Sequence, residues 1–516
     1  MNFLEYTQNP AGIAYIAPVL LLVVAGLLVL ILGVIADRFP KGRMNHWMPP
    51  EYLTIAVMIP MVIIGSAALW AAIKHGTMRL FPVGGQPGSL VSAYLMQIDA
   101  FAAFFWLIAI VGTLVTVVLS LEYFGDHNQR NRAEYFALLI FATVAILLTA
   151  ASTDLLMIYL SIEFLSLCSY VLAAYWKDNS KSSEAGLKYF LFGALSSALM
   201  LYGMSMLYGL TNSTHLGQIA LTLTSGASLS VPATWTAVIM VMAGLGYKLA
   251  LVPFHLWAPD TYEGAPTPIT AWLSVASKAA GLAVAVRFLL VAVPSGSGAD
   301  WYPIVFLLSA VSMTLGNMVA ITQRNIKRML AYSSIAQVGY MIVGVLAAAA
   351  SNNDPSNFGL AGLMIYAASY LFMNLGAFAV AIAVERRTGS SEIADFKGLM
   401  KRSPFLAGSL VVFFLSLAGI PPTAGFIGKF YVFAGAIQTA RTDLLVLALI
   451  AVANSVISVY YYFNVVRLMV MHDADDDSPV KISKPLRAVI ILMLALTIII
   501  CLAAGPIVNL ARAAVL

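Results

Sequence analysis

Runs of about twenty apolar residues recur fourteen times along this 516-residue chain, near 12–35, 52–73, 94–120, 133–151, 153–175, 185–210, 234–258, 267–292, 302–322, 329–349, 361–384, 405–437, 443–470 and 487–511. Each is long enough to cross the roughly 30 Å hydrocarbon layer of a bilayer as a helix. Hydrophobic residues make up 61% of the chain and charged ones 10%, against about 25% charge in a soluble domain. The expected fold class is therefore an all-α polytopic membrane protein with about fourteen transmembrane helices. The first run follows Glu5 with no preceding Lys or Arg and exceeds a signal peptide's apolar length, so it reads as a retained span.

Four ionisable residues interrupt these runs. Glu163 lies in DLLMIYLSIEFLSLCSYVLAAY, Lys248 in GLGYKLALVPFHLW, Lys278 in TAWLSVASKAAGLAV and Lys429 in SLAGIPPTAGFIGKFYVF. Apolar neighbours for about two turns on both sides keep them from snorkelling to water. Placing one such charge in hydrocarbon costs roughly 3 kcal/mol even on the lenient insertion scale. A chain that repeats the cost with one acid and three bases is expected to move protons or cations. His255 follows Lys248 by seven residues, about 700° of regular helix, so both would face one side if Pro253 did not intervene. Beside that proline, His255 suits a freed carbonyl as well as it suits a proton.

Loop charge sets the expected orientation. The connections after odd-numbered spans hold nineteen Lys and Arg, among them Arg38, Lys41, Arg43, Arg386, Arg387, Lys397, Lys401 and Arg402. Even connections and termini hold four, Lys74, Arg79, Arg441 and Arg512. This asymmetry places the odd connections in the cytoplasm and both termini on the outer side. The net charge of +5 is accounted for by topology and does not call for nucleic acid as a partner. The seventh span carries Pro253 and runs into Pro259, and the twelfth carries Pro421 and Pro422 between Gly419 and Gly425. Proline removes a donor and clashes with the preceding turn, so both spans should unwind near mid-membrane. By parity the five spans around each break, the fourth to eighth and the ninth to thirteenth, run antiparallel to one another, the inverted-repeat plan of transporters. The chain then divides into three N-terminal spans (1–120), two five-span repeats (121–292 and 293–470) and a C-terminal span (471–516).

Other polar residues have more ordinary readings. Lys188, near the cytoplasmic end of the sixth span, can snorkel, and so can Arg287 near the end of the eighth. Asp99 and Asp154 open helices on the outer side and suit caps. Asp473, Asp475, Asp476 and Asp477 read as a solvated loop. Cys168 and Cys501 lack ligand spacing, which leaves no support for a disulfide or a metal. The chain contains no dinucleotide fingerprint, no Walker loop and no cysteine cluster for iron and sulfur.

The stretches GLGYKLALVPFHLWAPDTYEGAPTPITAWLSVASKAAG and SLAGIPPTAGFIGKFYVF resemble the antiporter-like membrane subunits of respiratory complex I, over about residues 94–470 and most closely the N-type. The base at Lys429 is unlike the middle subunit of that family, which has a glutamate there. The resemblance implies proton translocation coupled to electron transfer from NADH to quinone. It implies no cofactor in this chain, with flavin, iron–sulfur clusters and quinone held by other subunits. The expected partners are other membrane-arm subunits, the lipid bilayer, protons and water, in a bacterial plasma membrane. It pairs Glu163 with Lys248, makes Lys278 the central base and Lys429 the base nearest the exit, and matches Lys188 to a family lysine. Subunits of cation/proton antiporters are similar over the same core and supply the alternative function.

Overall fold

A computed structural model describes residues 10–38, 49–83, 93–124, 132–225, 230–294, 300–352, 354, 356–474 and 478–515. Glu5, Lys41, Arg43, Asp475, Asp476 and Asp477 lie outside the described residues. In chain order the elements are α1 (Pro10–Arg38), α2 (Pro50–His75), β1 (Met78–Val83), β2 (Ala93–Ile98), α3 (Ala100–Phe124), α4 (Arg132–Ala151), α5 (Leu155–Ala173), α6 (Ser180–Thr211) and α7 (Leu216–Thr224). There follow α8 (Val231–Leu249), α9 (Trp257–Gly264), α10 (Thr267–Ala292), α11 (Tyr302–Ala320), α12 (Ile326–Ala350) and α13 (Phe358–Thr388). The last are α14 (Pro404–Ala418), α15 (Ala424–Gln438), α16 (Thr442–Met471), α17 (Lys484–Leu502) and α18 (Ala504–Ala513).

Among the described residues twelve helices are long and apolar enough to cross a membrane. The seventh and twelfth segments of the sequence are not among them; both are interrupted, the first into α8 and α9 and the second into α14 and α15. The chain is an all-α polytopic membrane protein. Helices α10 and α13 form its centre, with 94% of their apolar windows buried. Peripheral helices turn large apolar side chains outward, such as Leu160 and Leu167 on α5 and Leu449 and Val456 on α16. An outward apolar face is what a lipid solvent permits.

Both breaks occur before their prolines. Helix α8 ends where Ala250 adopts a left-handed conformation (φ 57°), and α14 ends at Gly419 (φ 85°). The groups released find protein partners, as a dry interior requires. The Trp257 indole donates to Tyr247 O at 3.1 Å and Val252 N to Ser312 Oγ at 2.9 Å. At the second break Gln337 Nε2 donates to Leu417 O at 3.0 Å, and Gly425 N donates to Ser416 Oγ at 3.0 Å.

The connections sort onto two faces. Odd connections are tied to one another by Arg132–Glu51 (3.3 Å), Lys181–Glu263 (2.9 Å), Arg328–Asp260 (2.6 Å), Arg386–Glu122 and Lys401–Asp473. Even connections meet on the opposite face, where Thr214 Oγ1 donates to Asp154 at 2.5 Å and Phe358 N to Gln438 Oε1 at 2.9 Å.

Three expectations need correction. The third span begins at Ala100 and not near 94, because Ala93–Ile98 pairs antiparallel with Met78–Val83 in a hairpin on the even face. The last segment is broken at Ala503 into α17 and α18. Arg287 does not snorkel; it is 2% exposed and bound to Asp99 at 2.7 Å and to Ala150 O at 3.0 Å. Asp99 also accepts from Ala102 N at 2.7 Å and so caps α3 as expected, while Asp154 caps α5 through Leu156 N at 2.9 Å.

Candidate functional site

The three lysines are buried in the bundle, Lys248 at 2%, Lys278 at 3% and Lys429 at 4% exposure. Glu163 is half-buried between α5 and α6. It shares a small cavity with Lys248, lined also by Ser166, Tyr170, Ser197 and Tyr247. The two charges do not touch: Ser197 Oγ donates to Glu163 Oε1, and Lys248 Nζ donates to Ser166 Oγ at 3.3 Å. Ser166 itself donates to Ile162 O at 2.8 Å.

Lys248 sits one residue before the end of α8 and leans on α10. A Cβ built at Gly281 would lie 3.0 Å from Leu249 Cδ2 and 3.4 Å from Lys248 Cγ, so the glycine makes room for this approach. Gly281 is three residues after Lys278 and on the same helical face. The turn before Lys278 is a π-helical segment, Leu273–Ser277. Such bulges gather at functional positions in helices. Lys278 Nζ donates to Ser334 Oγ at 2.8 Å and Ser334 O at 3.1 Å on α12.

One turn further along α12 stands Gln337, whose Oε1 accepts from the Tyr366 hydroxyl and whose amide reaches Leu417 O. Lys429 Nζ donates to the same Leu417 O at 3.2 Å, to Ala418 O at 3.0 Å and to Ser455 Oγ at 3.1 Å, with Tyr340 beneath it at 4.4 Å from the ring centre. The four groups form a file in which Glu163 and Lys248 share a cavity, Lys248 approaches α10 through aliphatic atoms at Gly281, and Lys278 and Lys429 are related through one turn of α12 and Leu417 O. Lys429 is also the floor of an apolar groove of about 590 Å³ between α15 and α16, open to the outside of the bundle beside Phe430 and Val456.

Each of the four ionisable groups touches a serine hydroxyl: Ser197, Ser166, Ser334 and Ser455. Sequence reasoning did not single these out, nor Gln337 or Tyr366, because serine and other small polar residues are common in helix packing. Their only signal is proximity across the fold.

Lys188 and His255 stand apart from the file. Lys188 is bound to Asp260 at 2.6 Å and Glu184 at 2.7 Å, in an ion cluster with Glu263, Arg328 and Lys181 on the odd face. His255 is buried in the turn between α8 and α9, and its Nδ1 has no hydrogen-bond partner. Among the described residues no group of His, Cys, Asp and Glu could hold a metal, and Cys168 and Cys501 are free thiols.

The family described as NADH:quinone oxidoreductase/Mrp antiporter, transmembrane, matches residues 152–458. NADH-quinone oxidoreductase subunit N of Heliobacterium modesticaldum is 43% identical over 420 residues, 81% of this chain and 86% of that protein. A chain of respiratory complex I from Thermus thermophilus with bound aureothin aligns with a TM-score of 0.73 at 30% identity, covering 96% of this chain and 99% of that one. A chain of the Mrp complex from Dietzia sp. DQ12-45-1b shares the fold at TM-score 0.81 and 20% identity, covering 97% of each. The chain belongs to the NADH:quinone oxidoreductase/Mrp antiporter transmembrane family and, within it, to the N subunits of NADH-quinone oxidoreductase.

Proposed function

We propose that this chain is a proton-translocating membrane-arm subunit of an NADH:quinone oxidoreductase, in which Glu163, Lys248, Lys278 and Lys429 relay protons joined by hydroxyls and water. The observation that carries the reading is the set of three buried lysines, each on a serine hydroxyl and none within 4.0 Å of a carboxylate among the described residues. A sealed charge costs roughly 3 kcal/mol, and moving one charge against about 150 mV costs roughly 3.5 kcal/mol. Charging and discharging one such amine is thus matched to the work of pumping one proton. Glu163 is the acid that biases Lys248 from across their shared cavity. Flavin, iron–sulfur clusters and quinone belong to partner subunits, and the reduction they perform drives the relay from a distance. Lys188 and His255 flank the relay, Lys188 at the cytoplasmic ion cluster and His255 at the first break.

The odd face is cytoplasmic and the termini face outward, as the nineteen-to-four bias in Lys and Arg requires. Residues 121–292 and 293–470 act as two inverted halves, each with one interrupted helix. Lys248→Ala in the assembled complex should lower protons translocated per NADH oxidised in membrane vesicles. Unchanged translocation with that variant would overturn the relay. The likeness to the Mrp complex fold favours a second reading, a subunit of a cation/proton antiporter. That reading requires cation-dependent proton exchange in vesicles without NADH.

A further inference from the structure

One buried base has no part in the relay so far. Lys327, at the start of α12, is 4% exposed and donates to Ala265 O at 3.1 Å and to Thr267 Oγ1 at 3.3 Å. Glu385, at the end of α13, stands 4.0 Å from the Lys327 amine and accepts from Thr267 Oγ1. The Glu385 side chain is 19% exposed, so this trio opens to the odd face while its lysine is sealed.

Seven residues after Lys327 on the same face of α12 comes Ser334, the residue that holds Lys278. The hydroxyls of Tyr262 on α9 and Tyr370 on α13 lie near Ser334 but outside hydrogen-bond geometry. Both side chains are buried, and neither hydroxyl has a hydrogen-bond partner. Tyr370 also lines the small cavity around Lys278. A buried tyrosine ordinarily finds a partner for its hydroxyl. Phenylalanine would fill the same space without leaving an unmet polar atom. These two hydroxyls, Ser334 Oγ and the third N–H of Lys278 together offer four polar contacts, the complement that one buried water takes up.

We propose that Glu385, Thr267 and Lys327 form the mouth through which Lys278 is loaded with protons from the odd face, and that Tyr262 and Tyr370 carry the proton over the last step. Glu385 takes a proton from solvent and releases it to water between α9 and α12. Tyr262 accepts a proton on its hydroxyl oxygen as it passes its own to the water at Ser334, and that water protonates the neutral Lys278 amine. Only O–H and N–H bonds are exchanged, and each donor is refilled from behind. Lys327 holds Thr267 and Ala265 in place and so positions the mouth.

This inference rests on the relay reading, and the test separates the two. Tyr262→Phe, Tyr370→Phe, Glu385→Gln and, as reference, Lys278→Met are compared in the intact complex in inverted membrane vesicles. The readouts are assembly, KM for NADH, and protons translocated per NADH. Neither tyrosine substitution removes a hydrogen bond, so assembly and KM should stay at wild type. Tyr262→Phe and Glu385→Gln should lower protons per NADH at least twofold, and Tyr370→Phe should lower it in the same direction. If Lys278→Met lowers the ratio while Tyr262→Phe leaves it at wild type, the loading route is overturned and the relay stands. If Lys278→Met leaves it unchanged, both are overturned. Should Glu385→Gln fail to assemble, the two tyrosine variants decide the question.

Discussion

Asp99 and Arg287 lie 188 residues apart and meet in the interior, where the guanidinium also covers Ala150 O and the Phe101 ring. Asp99→Asn leaves the arginine buried beside a neutral amide, and breaking a buried pair from one side costs about 3–5 kcal/mol. Lower thermal stability of the purified complex should follow. Changing both, Asp99→Asn with Arg287→Met, should recover part of the loss, because no lone charge then remains buried. The sequence held only half of this arrangement. Arg287 near the end of an apolar run reads as a snorkelling residue until its distant carboxylate is in view. Glu163, Lys248, Lys278 and Lys429 were legible because a charge inside a twenty-residue apolar run is conspicuous by itself. Ser166, Ser334 and Ser455 were not, since any helix of this kind carries serines.

Proline marked the two interrupted helices, yet the chain turns two or three residues earlier, at Ala250 and Gly419. The left-handed conformation costs an L-residue about 1–2 kcal/mol and glycine nothing comparable. Ala250→Gly should therefore leave thermal stability unchanged or raise it by about 1 kcal/mol. Gly419→Ala should lower it by at least that amount. A Cβ there would also lie 2.8 Å from Lys429 Cδ, so the variant should lower proton translocation as well. The hairpin of β1 and β2 escaped notice because AYLMQI is mostly apolar and only Asp99 separates it from the apolar helix that follows.

Across the whole molecule the odd face is fastened by ion pairs, with Asp260 bridging Lys188 and Arg328 between α6 and α12. These groups are about a third exposed, and pairs of that kind contribute roughly 0.2–1 kcal/mol each and weaken with salt. Asp260→Asn should destabilise the chain slightly at low ionic strength, and the difference from wild type in melting temperature should shrink as salt is added. That the chain is an all-α polytopic membrane protein was readable from hydropathy, and the two interruptions from their prolines. Which helices occupy the centre was not, because α10 and α13 are no more apolar than the peripheral α1 and α17. The serine partners carry a last consequence. A backbone carbonyl can only accept, so if Lys429 gives up a proton, as the proposed relay requires, the Leu417 and Ala418 oxygens cannot meet the nitrogen lone pair. The Ser455 hydroxyl can rotate and donate to it, so of the three partners it alone can satisfy the lone pair of the neutral amine.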